Sequence, residues 1–266
     1  MSVNVNKLRH PKESFYFLIA AIGGGFVWFM LLLSTFGLIL IWGLLAAIGL
    51  WIAQQMLQAK ILGNAIKVTE NQFPEIYNAA KDSADKAGMK NLPDVFVVNT
   101  DGVINAFAVK LFSRRYTILA SSLVDLMYDQ NDVRTVQFVM AHEMAHHAAG
   151  HTTLWKNLLV KPAMFIPFLG SAYSRACEMT CDAVAAHVVE KEEPCVKALA
   201  LLALGSVALS DKVSVDAFTG QEAEMPNLFT FINEILSTHP RLTRRILLVK
   251  NTLSKNPKSI EELTAA

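Results

Sequence analysis

The sequence predicts a mostly helical α+β protein, with an N-terminal two-span transmembrane hairpin followed by a domain that contains a small antiparallel sheet. Three observations predict this class. No charged residue occurs over 39 positions near the N-terminus. Apolar residues at helical spacing dominate most of the remaining sequence, and three short strand-like segments lie between helical regions. Hydrophobic residues make up 53% of the 266-residue chain, which favours a membrane protein.

The uncharged stretch extends from Phe15 to Ala53, about twice the ~20 residues that a helix needs to cross a bilayer core. Residues 34–37 (Ser-Thr-Phe-Gly) offer a turn in its middle, so we predict two spans, over about 15–34 and 37–56. A cleaved signal peptide is a poor alternative, because its apolar core has only ~7–15 residues.

Flanking charge predicts the orientation of the hairpin. Five cationic residues flank the two spans and none lies in the turn between them: Lys7, Arg9, Lys12, Lys60 and Lys67. Membrane insertion retains such charges on the cytoplasmic side, here of the cell's inner (plasma) membrane. We therefore predict a cytoplasmic N-terminal tail over 1–13, a transmembrane helical hairpin over 14–56 and a cytoplasmic domain over 57–266.

The domain begins with helices over 57–88 and then changes pattern. Residues 94–98, 103–109 and 116–120 are strand-like, with a turn over 99–102 between the first two. The rest is predicted to be helical. Three cysteines, an odd number without framework spacing, fit free thiols in a reducing compartment.

Residues 142–146 read His-Glu-Met-Ala-His, the most informative motif in the chain. Positions i and i+4 share one face of a helix, so His142 and His146 can bind a single metal ion. Glu143 is placed to reach a water molecule on that metal, so the motif indicates zinc-activated hydrolysis. The alternative is a solvated helix face, which the apolar surroundings of the pair disfavour because a buried histidine needs a partner.

A catalytic zinc site takes a third protein ligand. The best candidate is Glu178, with Asp182 four residues later on the same helix face as a partner for the free N–H of a ligating histidine. An ordinary helix with two surface acids is one alternative. Thiolate ligation by Cys177 or Cys181 is another, although both are more simply interpreted as small core residues.

With these motifs the sequence resembles the HtpX-type membrane zinc metalloproteases, which are gluzincins related to the CAAX prenyl endoproteases. Four motifs carry the resemblance, between about residues 60 and 250: Asn105-Ala106-Phe107, His142-Glu143-x-x-His146, Ser174-Arg175-x-x-Glu178-x-x-x-Asp182, and Thr238-His239-Pro240 with Arg245-Ile246. There are two departures. HtpX has a second pair of spans between its histidine and glutamate helices, where this chain has only 31 residues, and Met179 stands where relatives often have an aromatic residue.

The resemblance implies a gluzincin-type catalytic domain and one Zn²⁺ per chain, held by His142, His146 and Glu178, with Glu143 as the catalytic base. The implied function is a membrane-anchored zinc metalloendopeptidase that hydrolyses peptide bonds in the quality control of membrane or misfolded proteins.

Further residues receive roles from the resemblance alone. His239 would stabilise the oxyanion and Arg245 would organise the carboxylates around the zinc. Asn105, Ala106 and Phe107 would bind substrate on an edge strand.

The expected partners are protein or peptide substrates and the lipid bilayer. No nucleic acid is expected, because the net charge is +1 and no basic stripe is interleaved with aromatic residues. The alternative function is a zinc-binding pseudoprotease that acts as a membrane scaffold, which the intact Glu143 disfavours. A transporter is disfavoured because two spans without charged or broken helices offer no pathway.

The apolar stretch 158–173 is interrupted by Lys161, Pro162 and Pro167, so it is too short and too broken to span a bilayer. It is either a buried irregular loop or a segment that dips into the membrane surface near the active site, and the resemblance favours the second. Of the other histidines, His151 is predicted to be a helix-cap or surface residue.

Overall fold

The computed structural model describes residues 3–100, 106–111, 114–128, 133–166, 168–206, 209 and 212–254. Its fold is the predicted mostly helical α+β class. The two N-terminal helices are confirmed, as α1 (Glu13–Ser34) and α2 (Leu38–Asn64). Both are long and apolar enough to cross a membrane, and their apolar side chains are largely exposed. Gly37 makes the turn between them with a φ of 83°, a left-handed conformation that glycine adopts without strain.

The rest of the described chain is dominated by helices. In chain order these are α3 (Pro74–Lys86), α4 (Ser121–Met127), α5 (Arg134–Ala148), α6 (Leu154–Val160), α7 (Leu169–Val189), α8 (Glu192–Leu204), α9 (Val215–Gly220), α10 (Asn227–Leu236) and α11 (Leu242–Leu253), with 3₁₀ helices at Val5–Leu8, Lys161–Phe165 and Gln221–Glu224.

The sheet is mixed, and the prediction of a wholly antiparallel sheet is wrong. Its strands are β1 (Ile66–Lys67), β2 (Asp94–Val98), β3 (Ala106–Leu111) and β4 (Arg114–Ala120), in the order β1-β2-β4-β3. Strand β4 pairs parallel with β2 and antiparallel with β3, so the first two strand-like segments do not pair with each other. The reason is burial: every residue of β4 from 116 to 120 is buried, which requires a central position, whereas β3 exposes Phe107 and Lys110 and takes the edge.

Two helices form the centre of the domain. Every residue from 135 to 145 of α5 is buried, and so is every residue from 176 to 186 of α7. A helix that is buried all round belongs to a core. Small residues such as Ala141, Ala145 and Ala185 let the two helices pack closely, which brings their polar side chains within reach of one another.

The N-terminal residues lie against this domain. The Val3 amide donates to the Lys86 carbonyl at 2.6 Å, and the His10 amide donates to Thr180 Oγ1 at 2.9 Å. Helix α1 then runs antiparallel along α7: Glu13 contacts Thr180, and Phe17 packs on Tyr173 with ring centroids 5.6 Å apart. The first candidate span is therefore packed directly on one of the two core helices.

The segment from α6 to the start of α7 packs on the middle of α1. The backbones meet at Gly24, where a Cβ atom would lie 2.0 Å from the Leu159 carbonyl oxygen. The indole of Trp28 donates to the Leu158 carbonyl at 3.0 Å, about 22 Å along α1 from Glu13 at about 1.5 Å per residue. Since Phe165 is 89% exposed, this segment is not a buried irregular loop.

Candidate metal centre

Helix geometry brings three donor groups to one point. The Nε2 atoms of His142 and His146, one turn apart on α5, are 3.3 Å from each other. From α7, the Glu178 carboxylate places one oxygen 3.4 Å from His142 Nε2 and the other 3.3 Å from His146 Nε2. The three groups converge at the floor of a cleft, with one carboxylate oxygen facing each histidine.

These separations fit a zinc ion. Ligands bound tetrahedrally at about 2.0–2.1 Å lie roughly 3.3 Å apart, which is the spacing between these donors. Two imidazole nitrogens and a carboxylate are also the donor types that catalytic zinc sites use. The fourth direction is open, because the three groups line a cleft with a volume of about 580 Å³.

Cys181 also lies near the histidine pair, with its sulfur within 4.8 Å of their nitrogens. Burial, followed by the neighbouring carboxylates, raises the pKa of the Cys181 thiol well above its usual value, which keeps it protonated. Glu178 differs: burial raises its pKa, but the two histidines outweigh burial and lower it. In the absence of a metal, the carboxylate rather than the thiol is therefore the anionic group at this point.

The ring nitrogen of His142 that points away from the three converging groups, Nδ1, is held by a buried carboxylate; we call it the outer nitrogen. His142 Nδ1 lies 2.8 Å from Asp182 Oδ1, and Arg245 donates to the two oxygens of Asp182 at 2.7 and 2.8 Å. A proton on Nδ1 directed at Asp182 leaves the Nε2 lone pair free for a metal. Without a metal, burial lowers the pKa of His142, but Asp182 and Glu178 outweigh burial and raise that pKa to about 10, so a zinc ion that binds Nε2 displaces a proton from it.

His146 also has a partner on its outer nitrogen, which lies 3.1 Å from Nδ1 of His151. The expectation of a surface role for His151 is wrong, since its side chain is only 7% exposed. The expectation of a cap role is confirmed for its backbone, because the His151 amide donates to the His146 carbonyl at 2.9 Å at the end of α5. The other ring nitrogen of His151 reaches Glu13 at the start of α1. Neither His151 nor Glu13 was identified as a candidate from the sequence. Only the position of His151, five residues after His146, could have suggested the contact between these two histidines.

Several other candidates line the same cleft, on four different elements. They are Ala106 and Phe107 of β3, Glu143 of α5, His239 in the loop before α11, and Arg245 of α11. Arg245 donates to Asp182, and Asp182 in turn contacts His142. His239 is exposed, and its Nδ1 lies 3.0 Å from Thr238 Oγ1. Asn105 lies outside the described residues.

The comparisons with known proteins agree with this geometry. Residues 70–166 and 153–253 match the model of peptidase family M48. The chain is 25% identical over 182 residues to the plastoglobule-localized metallopeptidase 48 of Arabidopsis thaliana chloroplasts, which covers 63% of this chain and 51% of the relative. The chain thus spans about half the length of the curated relative that it matches. No solved structure matches.

The matched regions contain the His142/His146 pair together with Glu143 and Glu178. This confirms the metallopeptidase predicted from the sequence and places the histidine pair in the setting typical of zinc peptidases. The chain belongs to peptidase family M48, the metallopeptidases.

Proposed function

We propose that this protein is a membrane-anchored zinc endopeptidase whose ligands are His142, His146 and Glu178. The observation that carries the proposal is the convergence of two imidazole nitrogens and one carboxylate, at separations of 3.3–3.4 Å, on the floor of an open cleft. A scaffold would have no use for an open coordination position beside a carboxylate such as Glu143.

In this proposal, residues of the chain have separate roles in peptide hydrolysis. When bound, zinc supplies Lewis acidity that makes a water molecule nucleophilic near neutral pH. Glu143 would accept a proton from the attacking water molecule and pass it to the leaving amine. His239, on the rim of the cleft, donates a hydrogen bond to the carbonyl oxygen as negative charge develops there. Arg245 acts through Asp182, which it holds against His142.

The edge strand supports binding of an extended substrate. Strand β3 is at the end of the sheet, and Ala106 and Phe107 line the cleft that contains His142. A substrate backbone that pairs with this edge would enter the cleft as an added strand, held through main-chain hydrogen bonds rather than by its side chains. In this proposal Asn105, directly before β3, also contacts the substrate. Binding of this kind suits a protease that accepts many sequences.

We further propose an HtpX-type protease of the inner (plasma) membrane, with tail (1–13) and catalytic domain (57–266) in the cytoplasm and the hairpin (14–56) in the bilayer. Its substrates would be membrane or misfolded proteins. The packing of α1 on the core helix α7 supports a site held at the membrane surface. Cells that produce the inactive Glu143→Gln variant should accumulate trapped membrane proteins on it, and a trapped set of soluble folded proteins would overturn the quality-control role.

The segment over 154–166 is proposed to enter the membrane beside α1. Its backbone contacts α1 at Gly24 and Trp28, in the middle of the candidate span, and its apolar side chains point outward: Leu154, Trp155, Leu158, Met164 and Phe165 are exposed. Lipid covers such a surface without cost. A nitroxide probe introduced with Phe165→Cys should be relaxed by lipid-soluble oxygen; relaxation by a water-soluble nickel reagent instead would contradict this position.

The enzymatic proposal is tested with the full chain in detergent or vesicles and an unfolded protein such as casein. Hydrolysis should stop when a chelator removes the metal, return when zinc is added, and be absent from Glu143→Gln. Glu193→Gln removes an exposed carboxylate on α8 and should cleave like the wild type. A zinc-loaded wild type that cleaves no protein would support the scaffold instead.

A further inference from the structure

A chain of hydrogen bonds connects His146 to the first candidate membrane span. His146 Nδ1 lies 3.1 Å from His151 Nδ1, and His151 Nε2 lies 3.2 Å from Glu13 Oε1. Glu13 is the first residue of α1, 138 positions before His151. The side chains of His151 and Glu13 are 7% and 4% exposed, so the connection is shielded from water.

The direction of the proton donors along this connection is set by the metal site. If His146 uses Nε2 toward the metal, its Nδ1 carries a proton and donates to Nδ1 of His151. His151 must then carry its own proton on Nε2, where it donates to the Glu13 carboxylate. One arrangement of protons thus satisfies all four atoms, and it is the arrangement that leaves the lone pair of His146 Nε2 directed at the proposed metal.

Glu13 is itself held on both oxygens. Thr180 donates to Oε2 at 2.5 Å, and Arg9 donates to Oε1. Arg9 also donates to the Ala149 carbonyl, the cap of α5, at 2.7 Å. A carboxylate is costly to bury without such partners, and here they come from the N-terminal segment, the loop after α5, and α7. The position of Glu13 is therefore fixed relative to both ligand-bearing helices.

The two ligating histidines have equivalent supports. The outer nitrogen of His142 meets the carboxylate of Asp182 directly, and Asp182 is held by Arg245. The outer nitrogen of His146 meets the carboxylate of Glu13 through His151. Carboxylate partners of this kind orient ligand rings and strengthen metal binding, and their loss costs about 10–100-fold in affinity.

The same cluster is a weak candidate for a second metal site. Ligand atoms of Glu13, His151 and Cys177 lie within 4.8 Å of one another. Both oxygens of Glu13 already accept hydrogen bonds, and burial raises the pKa of the Cys177 thiol, which keeps that sulfur protonated. The cluster has the properties of a hydrogen-bonded support rather than of a cation site.

We propose that Glu13 and His151 are positioning residues for the ligand His146, so that the metal centre is completed by the first turn of the membrane anchor. The proposal rests on the zinc site proposed above. Its consequence is that docking of α1 on the domain sets the affinity of the site for zinc: the anchor contributes to the metal centre as well as holding it at the membrane.

The test is a double-mutant cycle on the full chain, with the zinc dissociation constant as readout and a competing chelator as reporter. His151→Ala and Glu13→Ala should each weaken zinc binding by about 10–100-fold. The double variant should be no weaker than His151→Ala alone, because Glu13 acts only through His151. Additive losses, or unchanged affinity in either single variant, would overturn the proposal.

Glu13→Gln guards against a variant that fails to fold, because it keeps the size of the side chain and removes its charge. It should still lower zinc affinity measurably, whereas Glu193→Gln should not. Wild type and variants should all bind a single zinc equivalent. A second equivalent that is lost with Glu13 would make the cluster a metal site and overturn the positioning role. A wild type that binds no zinc would instead overturn the proposed function itself.

Discussion

Arg245 holds Asp182 by two buried hydrogen bonds of 2.7 and 2.8 Å, and Asp182 in turn contacts His142 at 2.8 Å. Asp182 is completely buried, and burial raises its pKa, but Arg245 and His142 outweigh burial and lower it. The carboxylate is therefore ionised at the centre of the protein.

Arg245→Ala should therefore destabilise the protein strongly. Removing one partner of a buried ion pair leaves an uncompensated charge and costs about 3–5 kcal/mol. Lys250→Ala is a matched control on the same helix, because Lys250 pairs with the exposed Asp216 and such surface pairs contribute about 0–1 kcal/mol. Denaturant unfolding of both variants measures the difference. Equal losses of stability in the two would show that Arg245 is not structurally coupled to Asp182.

The general base and the third ligand should be separable by mutation. Glu143→Gln should keep the bound metal and reduce peptide hydrolysis by at least about 10²–10⁴-fold, because the base transfers protons without holding the ion. Glu178→Ala should lose the metal. Zinc content and casein cleavage of the same preparations are the two measurements. The reverse pattern, with zinc lost from Glu143→Gln and kept in Glu178→Ala, would show that the assignments are exchanged.

His147 makes the stability of the metal-free protein depend on pH. The His147 side chain is buried, and its Nε2 lies 3.1 Å from the Tyr116 carbonyl oxygen. Burial is the main cause that lowers the pKa of His147 to about 4. The unfolded chain takes up this proton near pH 6.5 while the folded chain does not. Stability should therefore fall as the pH drops from about 6.5 to about 4, by at most roughly 3 kcal/mol.

The measurement is urea unfolding of the chelator-treated protein at a series of pH values. His147→Gln keeps a polar side chain without a titrating group, so its stability should depend less on pH across this window. An equally steep decrease in the variant would assign the acid sensitivity to other groups.

The orientation of the hairpin decides which substrates are reachable. A cysteine introduced with Thr35→Cys, in the turn between α1 and α2, should react with an impermeant thiol reagent added outside the cell. One introduced with Ala265→Cys, outside the described residues, should not. Background labelling should be low because the native cysteines are all buried. The opposite labelling pattern would place the protease domain outside.

The sequence predicts the features that depend on local spacing. His142 and His146 converge because residues one helical turn apart always do, and the two helices of the hairpin follow from a long uncharged run. The arrangement of the strands depends instead on competition for the central position, which β4 occupies because both of its faces are buried. That outcome requires knowledge of the elements that pack on the sheet.

The supports of the metal ligands show the same limit. Asp182 could be proposed because it shares a helix face with Glu178. Glu13 could not, since it reaches His151 across 138 positions of sequence and only through the docking of α1 on α7. Nothing in the residues around Glu13 indicates that it is buried, because a carboxylate directly before an apolar run most often faces the water at the membrane surface.

The most direct test of the zinc site is X-ray absorption spectroscopy at the zinc edge on the purified full-length protein, with metal content measured in parallel. The proposed site predicts one zinc per chain, coordinated by two imidazoles and oxygen or nitrogen atoms at about 2.0–2.1 Å, without sulfur. Cys181→Ala should leave the spectrum unchanged, while His142→Ala should lose the metal. A zinc–sulfur distance of about 2.3 Å, or less than about half an equivalent of zinc regardless of His142, would contradict the site.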